Sequence, residues 1–439
     1  MPSMFSALSP LDGRYNDTVD PLRAYFSEEA LHRARVFIEV SYLSALANEP
    51  KVKELKKFTK AQETALQKIV DEFSTKDAEA IRKIEKTTKH DVKAVEYFLR
   101  DKVKLIPGLK NASEFIHFGL TSEDVNNLAY GVLINQALQD VIVPALHAFL
   151  EQFLSLIDQW KGIRLLSLTH GQPATPTSVG KELMVFATRL ERQLKKLEDF
   201  HMQGKFGGAV GNFSAHRAAY PDVAWEEFGV AFVSSLALEP ILFTTQINPH
   251  DDLAELSHLF CRIDSILLDF CRDMWLYISR GVFRQKIVKE EVGSSTMPHK
   301  VNPIDFENAE GNLGLANALF LHFAEKLPIS RLQRDLSDST VQRNLGVAFG
   351  HHLLAVASIQ KALPKLAIDP SQIQRELDLH PEVAAEAIQT LLRKRGVGGA
   401  YEKLKELTRG EKVTKEQLKS FVDGLPLSAD EKKRLQQLI

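Results

Sequence analysis

The chain has 439 residues, of which 44% are hydrophobic and 26% are charged, and its formal net charge is -2. A chain of this composition is long and apolar enough to build large hydrophobic cores, which excludes an intrinsically disordered protein. The small net charge excludes a global attraction to nucleic acid or to an anionic membrane, but it does not exclude a local anion site.

The N-terminal sequence MPSMFSALSPLDGRY lacks the basic and apolar regions of a signal peptide. We expect no apolar run near the ~20 residues that span a bilayer, and therefore a cytoplasmic protein. Cys261 and Cys271 lie on one predicted helix, separated by about 15 Å along its axis. A disulfide cannot bridge that distance, so we expect two thiols in a reducing compartment.

Apolar residues recur every three or four positions along most of the chain, which predicts a mainly helical protein. The division that we predict has three parts: residues 1–111, which are helical and charged, residues 112–364, which hold long apolar helices, and residues 365–439, which are shorter and highly charged. Several long helices in succession indicate a helix bundle. The long helices are predicted over residues 125–158, 181–201, 252–278, 306–326 and 343–363.

Signals for strands are few, and the absence of a strand–helix–strand rhythm argues against a doubly wound sheet. The glycine-rich stretch Gly207–Gly211 superficially resembles a dinucleotide-binding loop, but no predicted strand precedes it, so we interpret it as a turn. The chain contains no GxxxxGK[ST] sequence, which argues against ATP hydrolysis.

Five polar segments interrupt the helices, and such segments often carry catalytic side chains because a rigid scaffold holds them in place. In TTKHDVKAVEYFL, His90 and Asp91 open an amphipathic run, although Asp91 could simply stabilise the first turn of a helix. In HFGLTSEDVNN, Thr121 and Asp124 have the spacing of a capping box. That helix start is either a simple cap or a set of free N–H groups for a ligand carboxylate.

The next segment, SLTHGQPATPTS, places His170 in a loop stiffened by prolines between two apolar helices. Histidine is the usual proton-transfer residue near neutral pH, but a single histidine is more often structural. In GSSTMPHKVNP, glycine and prolines exclude helix, and Ser294, Lys300 and Asn302 concentrate varied hydrogen-bonding chemistry. A solvent-exposed loop explains the polarity of that segment but not this density of functional groups.

The last segment, QRDLSDSTVQRN, has Ser339 and Gln342 at the spacing of a second capping box. Arg334 and Arg343 add positive charge beside that helix start, which suits a phosphate group. An exposed arginine pair on a solvated surface is an equally good interpretation of these residues.

Taken together, these five segments, with SPLDGRY near the N-terminus and YEKLKELTRG near the C-terminus, resemble the fumarase/aspartase superfamily. The segment GSSTMPHKVNP is similar to the signature loop of the superfamily, and the other segments resemble the adenylosuccinate lyase family within it. The resemblance covers nearly the whole chain. It implies an all-α, three-domain fold whose central long-helix bundle is completed by tetramerisation.

The resemblance also implies an activity. Adenylosuccinate lyases release fumarate by β-elimination, from adenylosuccinate to give AMP and from the succinylated imidazole carboxamide nucleotide SAICAR to give AICAR. The superfamily members are homotetramers in which each active site is built from three chains. We therefore expect small-molecule nucleotide substrates, no nucleic-acid or membrane partner, and no metal or organic cofactor.

Carried over by resemblance, His170 is expected to be the general acid and Ser294 the general base. The resemblance implies that the remaining site residues bind substrate: Arg14, Tyr15, His90, Asp91, Thr121, Ser122, Gln246, Lys300, Asn302, Asn308, Arg334, Ser339, Thr340 and Arg343. Within that set, Thr121, Ser122, Gln246, Lys300 and Asn302 match groups that hold the succinyl end, and Arg14, Tyr15, Arg334, Ser339 and Arg343 match groups near the phosphate and ribose. One departure is Lys89, where related sequences often carry asparagine.

Two alternatives to this activity remain at this point. The first is another lyase of the same superfamily, such as an argininosuccinate lyase or a fumarase, against which Arg334, Ser339 and Arg343 favour a phosphate-bearing substrate. The second is a catalytically silent structural protein on the same fold, against which the intact His170 and Ser294 argue.

Overall fold

The computed structural model describes residues 4–287, 297, 300–399, 402, 404, 405 and 413–439. Most of these residues are helical, as the periodicity of the sequence predicts. The helices are α1 Asn16–Val19, α2 Arg23–Phe26, α3 Glu28–Ala47, α4 Lys60–Asp71, α5 Thr75–Thr88, α6 Asp91–Lys104, α7 Ser122–Ala137, α8 Val143–Trp160, α9 Val179–Glu198, α10 Ser214–Ala219, α11 Trp225–Ser235, α12 Asp251–Ser279, α13 Ile304–Lys326, α14 Ser337–Gln342, α15 Leu345–Ala362, α16 Pro370–Leu379, α17 Ala385–Lys394, α18 Lys415–Asp423 and α19 Ala429–Gln436.

The strands are short and pair two by two. They are β1 Arg164–Thr169, β2 Gln172–Ser178, β3 Gln203–Lys205, β4 Glu239–Ile241, β5 Phe283–Gln285 and β6 Leu366–Ile368. β1 with β2 and β5 with β6 are antiparallel, whereas β3 with β4 is parallel. These pairs leave the fold all-α in class, as predicted.

The predicted long helices are confirmed within a few residues of their predicted ends. The predicted helix over 125–158 is divided by a π-helical turn at Leu138–Ile142, which connects α7 to α8. Contrary to expectation, the stretch Ser122–Trp160 is long and apolar enough to cross a membrane by length and composition. A core helix of a water-soluble protein passes the same test, so this feature does not establish a membrane span.

The chain divides into two compact units. Unit 1 contains residues 1–149, 190–269 and 308–359. Within it, α3 packs against α4, α6 and α7. One part of its core is aromatic, with Tyr42 beside Phe206 and Phe232.

Unit 2 contains residues 150–189, 270–307 and 360–439. It holds the β1–β2 hairpin, the β5–β6 pair and the C-terminal helices, whose core includes Ile388, Leu392 and Leu418. The division predicted from the sequence at residues 111 and 364 stays a prediction.

Candidate active site

Two of the predicted substrate-binding residues, His90 and Ser122, meet at the starts of two helices of unit 1. His90 caps α6, and its Nδ1 accepts a hydrogen bond from the backbone N–H of Lys93 at 3.2 Å. The Nε2 of His90 therefore carries the proton of the neutral ring, and it lies 3.4 Å from the Oγ of Ser122, the first residue of α7. The exposed edge of this pair is a donor and acceptor surface beside two helix N-termini.

The capping box predicted at Thr121 is confirmed, because the backbone N–H of Thr121 donates to Asp124 Oδ2 at 2.8 Å. Asp124 is completely buried and pairs with the equally buried Lys205 at 2.7 Å. The backbone N–H groups of Gly207 and Gly208 also donate to Asp124, which explains the glycine-rich turn in this part of the chain. A single buried carboxylate thus fixes both the start of α7 and the turn after β3.

Asp91 lies between two arginines. Its Oδ2 accepts from Arg35 Nη2 at 2.7 Å and from Arg343 Nη2 at 3.1 Å. Burial raises the pKa of the Asp91 carboxyl, but Arg35, the N–H of Val92 and Arg343 outweigh that effect and bring its pKa down to about 2. Asp91 is therefore ionised at neutral pH and holds Arg343 in place.

The other predicted phosphate-binding arginine, Arg334, is held in a similar way. Its Nη2 donates to Glu123 Oε1 at 3.0 Å, and its Nη1 donates to Gln246 Oε1 at 3.3 Å. Burial raises the pKa of the Glu123 carboxyl, and the charge of Arg334 opposes the rise. Gln246 and Arg334, which the sequence assigns to different ends of the substrate, are neighbours in unit 1.

Tyr15 and Asn308 are also brought together, since Asn308 Nδ2 donates to the Tyr15 hydroxyl at 3.1 Å. Asn308 Oδ1 accepts from Ser358 and from Asn312, and His351 Nδ1 lies 2.8 Å from Asn312 Oδ1. The hydroxyl of Tyr15 is thus the end of a polar chain that leads into the core. Arg14 is exposed, with its guanidinium 5.9 Å from the centre of the Tyr15 ring.

Ser339 and Thr340 lie inside α14, which begins at Ser337. The prediction that Ser339 and Gln342 form a capping box is therefore wrong. The helix start is instead stabilised by Asp335, whose Oδ1 accepts from the backbone N–H of Ser337 at 2.9 Å. The sequence LSDSTVQ offers several serines at cap spacing, and the preceding aspartate decides which turn begins the helix.

The remaining predicted residues belong to unit 2. His170 occupies the two-residue turn of the β1–β2 hairpin, where both His170 and Gly171 have positive φ, 54° and 70°. The predicted connection between two apolar helices is confirmed, but the structure forms it as a β-hairpin, whose strands were not predicted. Positive φ at both turn residues is the type I′ geometry that suits a tight hairpin, and it leaves the imidazole exposed.

Lys300 is exposed and Asn302 is half-buried, immediately before α13. Ser294, the predicted general base, lies outside the described residues. Within the described ranges, no group of three or more His, Cys, Asp or Glu side chains could hold a metal ion.

The sequence interpretation missed three residues that join the predicted ones: Arg35, Glu123 and Asn126. All three are buried, and Asn126 accepts from Arg35 Nε at 2.8 Å and donates to Glu123 Oε1 at 3.0 Å. The sequence carries no clear signal for them, because Glu39 follows Arg35 at the spacing of an exposed ion pair on a helix surface.

A cavity of about 290 Å³ in unit 1 is lined by Arg343 and by residues near the N-terminus, including Ser9, Asp12 and Arg23. Because Arg343 lines this cavity, a ligand bound to Arg343 would lie in or beside it. Another cavity, about 230 Å³ in unit 2, is lined by residues such as Arg164 and His380 and holds none of the predicted site residues.

Comparison with protein families supports the resemblance seen in the sequence. Residues 13–317 match the family described as "Lyase", and residues 330–439 match "Adenylosuccinate lyase C-terminal". Among solved structures, a fumarate lyase from Mesorhizobium has a TM-score of 0.72 at 16% identity, covering 95% of this chain and 94% of that one. A 3-carboxy-cis,cis-muconate lactonizing enzyme from Pseudomonas putida has a TM-score of 0.71 at 21% identity, covering 95% and 92%. At these identities the two structures establish the fold alone.

Curated relatives are much closer in sequence. The adenylosuccinate lyase of Escherichia coli is 51% identical over 99% of this chain and 96% of its own length, and that of Haemophilus influenzae is 49% identical over the same shares. The adenylosuccinate lyase of Dictyostelium discoideum is 49% identical over 98% of this chain and 94% of its own. Matches of this extent on both chains leave one conclusion: this chain belongs to the adenylosuccinate lyase family of the fumarase/aspartase superfamily.

Proposed function

We propose that the chain is a C–N lyase that cleaves adenylosuccinate into AMP and fumarate and SAICAR into AICAR and fumarate. The observation that carries this proposal is the cluster in unit 1 in which the half-buried Asp91 holds Arg343 and the buried Glu123 holds Arg334, beside the His90–Ser122 pair. Guanidinium groups held in this way suit a phosphate, which argininosuccinate and malate lack. The sequence identity of 49–51% to curated adenylosuccinate lyases, over nearly the full length of the chain, supports the same substrate class.

The chemistry is assigned to unit 2. The reaction breaks a C–H bond next to a carboxylate and the C–N bond to the nucleotide, and the electron pair of the C–H bond becomes the double bond of fumarate. Ser294 takes the proton from carbon, and His170 gives a proton to the leaving nitrogen. A positioned acid of this kind contributes about 10²–10⁴-fold to the rate.

Negative charge grows on the substrate carboxylate as the proton leaves. Lys300, which is exposed and precedes α13, is proposed to offset that charge. Thr121 and Ser122 at the start of α7, with Gln246 and Asn302, are the proposed donors to the succinyl carboxylates. Arg14, Tyr15, Arg334, Ser339 and Arg343 are proposed to bind the phosphate and ribose.

The chain is proposed to act as a cytoplasmic homotetramer with active sites shared between chains. Its long helices support self-association, because they expose large apolar side chains to solvent in the single chain. These side chains are Met184 and Val185 on α9, Trp275 and Leu276 on α12, and Leu315 and Leu321 on α13. Apolar surface of this kind on several long helices is typical of obligate subunit interfaces.

The test is turnover of adenylosuccinate by the purified chain, followed by ultraviolet absorbance, with the products separated by chromatography. Equal amounts of AMP and fumarate are expected, and SAICAR should give AICAR and fumarate. Argininosuccinate and malate are the matched controls. Turnover of either control by protein that leaves adenylosuccinate untouched would contradict the proposal.

A further inference from the structure

The buried Arg35 of α3 has no place in the proposed contacts with substrate, yet it lies at the centre of the polar network in unit 1. It is 1% exposed, and its Nη2 and Nε donate to Asp91 and Asn126 at 2.7 and 2.8 Å. Its Nη1 is buried without a hydrogen-bond partner among the described residues. A buried arginine with an unsatisfied donor contributes little to stability, so the position of Arg35 between Asp91 and Asn126 points to another role.

Asn126 forms hydrogen bonds to both Arg35 and Glu123, and so links Arg35 to a second carboxylate. Its Oδ1 accepts from Arg35 and its Nδ2 donates to Glu123 Oε1 at 3.0 Å. The orientation of the amide is determined by Arg35, because an arginine can only donate, so the amide oxygen faces Arg35 and the amide nitrogen faces Glu123. Asn126 is 8% exposed, which leaves little of it to touch a ligand.

The outer ends of this network are the two arginines assigned to the phosphate end of the substrate. Five contacts of 2.7–3.1 Å run in sequence from Arg343 through Asp91, Arg35, Asn126 and Glu123 to Arg334. The residues come from four separate parts of the chain: α3, the start of α6, the first turns of α7 and the segment 333–344. A substitution at Arg35 or Asn126, in the centre of the network, is therefore expected to alter the positions of both Arg343 and Arg334.

The charges of the network favour an anion at its outer surface. Three guanidinium groups face two carboxylates, and the additional partner of Arg343 is the exposed Glu28, whose side chain is 54% accessible. A phosphate can replace an exposed carboxylate readily, because such a pair contributes little in water. Asp91 stays in place during that exchange, since Arg35 holds it from the buried side.

We propose that Arg35 and Asn126 are positioning residues, which hold Arg343 and Arg334 at a fixed separation for the phosphate end of the nucleotide. Long arginine side chains lose conformational freedom when they bind a ligand, and a network that has already ordered them lowers that cost. This inference rests on the proposed function, because the ligand it requires is the nucleotide product or substrate.

The test compares Asn126→Ala with Asn135→Ala in the full-length chain. Asn135 lies on the same helix, α7, and bonds the backbone of Ala237 and Met202, away from the network. AMP binding is measured by titration calorimetry, and fumarate binding by inhibition of turnover. We expect Asn126→Ala to weaken AMP binding about tenfold and to leave fumarate binding within about twofold, because Asn126 connects the residues that hold Arg343 and Arg334, the two arginines assigned to the phosphate. Asn135→Ala should change neither.

Arg35→Lys is the second variant. It keeps a positive charge for Asp91 but removes the Nε that reaches Asn126, so the same selective loss of AMP binding is expected. Unchanged AMP binding in either folded variant, or an equal loss of AMP and fumarate, would overturn the inference. If neither variant folds, the network serves folding and not ligand positioning, and the inference is rejected as well. A wild-type chain that neither turns over adenylosuccinate nor binds AMP would instead overturn the proposed function.

Discussion

The two units present their functional groups in opposite ways. In unit 1, Arg35, Glu123 and Asp124 are almost completely buried, and two of the three predicted ligand-binding arginines there, Arg334 and Arg343, are each held by a carboxylate. In unit 2, His170 and Lys300 are exposed on a hairpin turn and a short connection. The contrast suggests a division of work: a rigid, preorganised surface recognises the nucleotide, and accessible groups carry out the proton transfers.

The largest effect is expected from replacement of His170, which should lower kcat strongly and leave the affinity for AMP unchanged. His170→Asn is the suitable change, because asparagine tolerates the positive φ of this turn but cannot act as the acid. We expect kcat to fall by about 10²–10⁴-fold. The fall in kcat is measured by steady-state kinetics with adenylosuccinate as the substrate.

The control for this change is His147→Asn. His147 is also exposed, but it lies on α8 and pairs with Glu198. Its replacement should leave kcat within about twofold, as expected for an exposed pair. A fall in AMP affinity that matched the fall in kcat of His170→Asn would break the proposed division between the two regions.

The second effect concerns stability and the buried ion pair of unit 1. Lys205→Met leaves the Asp124 charge in the core without its partner, which should lower the free energy of unfolding by about 3–5 kcal/mol. The matched change in unit 2 is Lys161→Met, which breaks the exposed pair with Asp158 and should lower the free energy of unfolding far less, because water solvates both side chains. Urea denaturation of the two variants measures the difference, and equal losses would contradict the contrast between buried and exposed charges.

The third effect is a dependence of stability on pH that comes from two buried histidines of unit 1. Burial lowers the pKa of His32 and of His216 to about 4, from an ordinary value of 6.5. Between these values the unfolded chain binds protons that the folded chain does not, so stability falls as the pH falls from 6.5 towards 4. Each histidine should lower the free energy of unfolding by about 2 kcal/mol when the pH falls from 7 to 5.

The variant His216→Gln tests this pH dependence. The Tyr42 hydroxyl donates to the Phe118 carbonyl, so its oxygen accepts from His216 Nε2, and glutamine can supply a donor there. Urea denaturation at pH 7 and pH 5 should show a smaller loss of stability in the variant than in the wild type. An unchanged loss would show that His216 already titrates in the folded chain.

The smallest effect concerns Lys89, which ends α5 in the left-handed conformation with φ 55°. Lysine is strained there, whereas asparagine tolerates this conformation at a helix end. Lys89→Asn should raise the free energy of unfolding by about 0.5–1 kcal/mol. The control Lys86→Asn, inside α5, should lower stability slightly, because asparagine is a poorer helix former than lysine.

The sequence was most informative where periodicity or local capping decides the structure. The long helices and the Thr121–Asp124 box were predicted correctly, because both depend on residues within a few positions of each other. It did not reveal the hairpin at His170, because the strand sequences RLLSLT and QPATPTS do not alternate apolar and polar residues. It was misleading at Ser339, where a neighbouring aspartate caps a different turn.

The buried network could not be predicted from the sequence. In α3, Arg35 and Glu39 have the spacing of an exposed ion pair on a helix surface. Each instead has a distant partner, since Arg35 bonds Asp91 and Glu39 bonds His117. Pairing between residues that are far apart in the chain depends on how the helices pack, and a single sequence does not contain that information.

The most direct test of active sites shared between chains is to mix two inactive variants, His170→Asn and Ser294→Ala. If a functional site takes its acid and its base from different chains, subunit exchange should restore activity, in about a quarter of the sites for random assembly. The products should be AMP and fumarate in equal amounts. Chains that exchange subunits, as shown by mass spectrometry of the mixed tetramers, and yet stay inactive would contradict the shared-site lyase proposed for this chain.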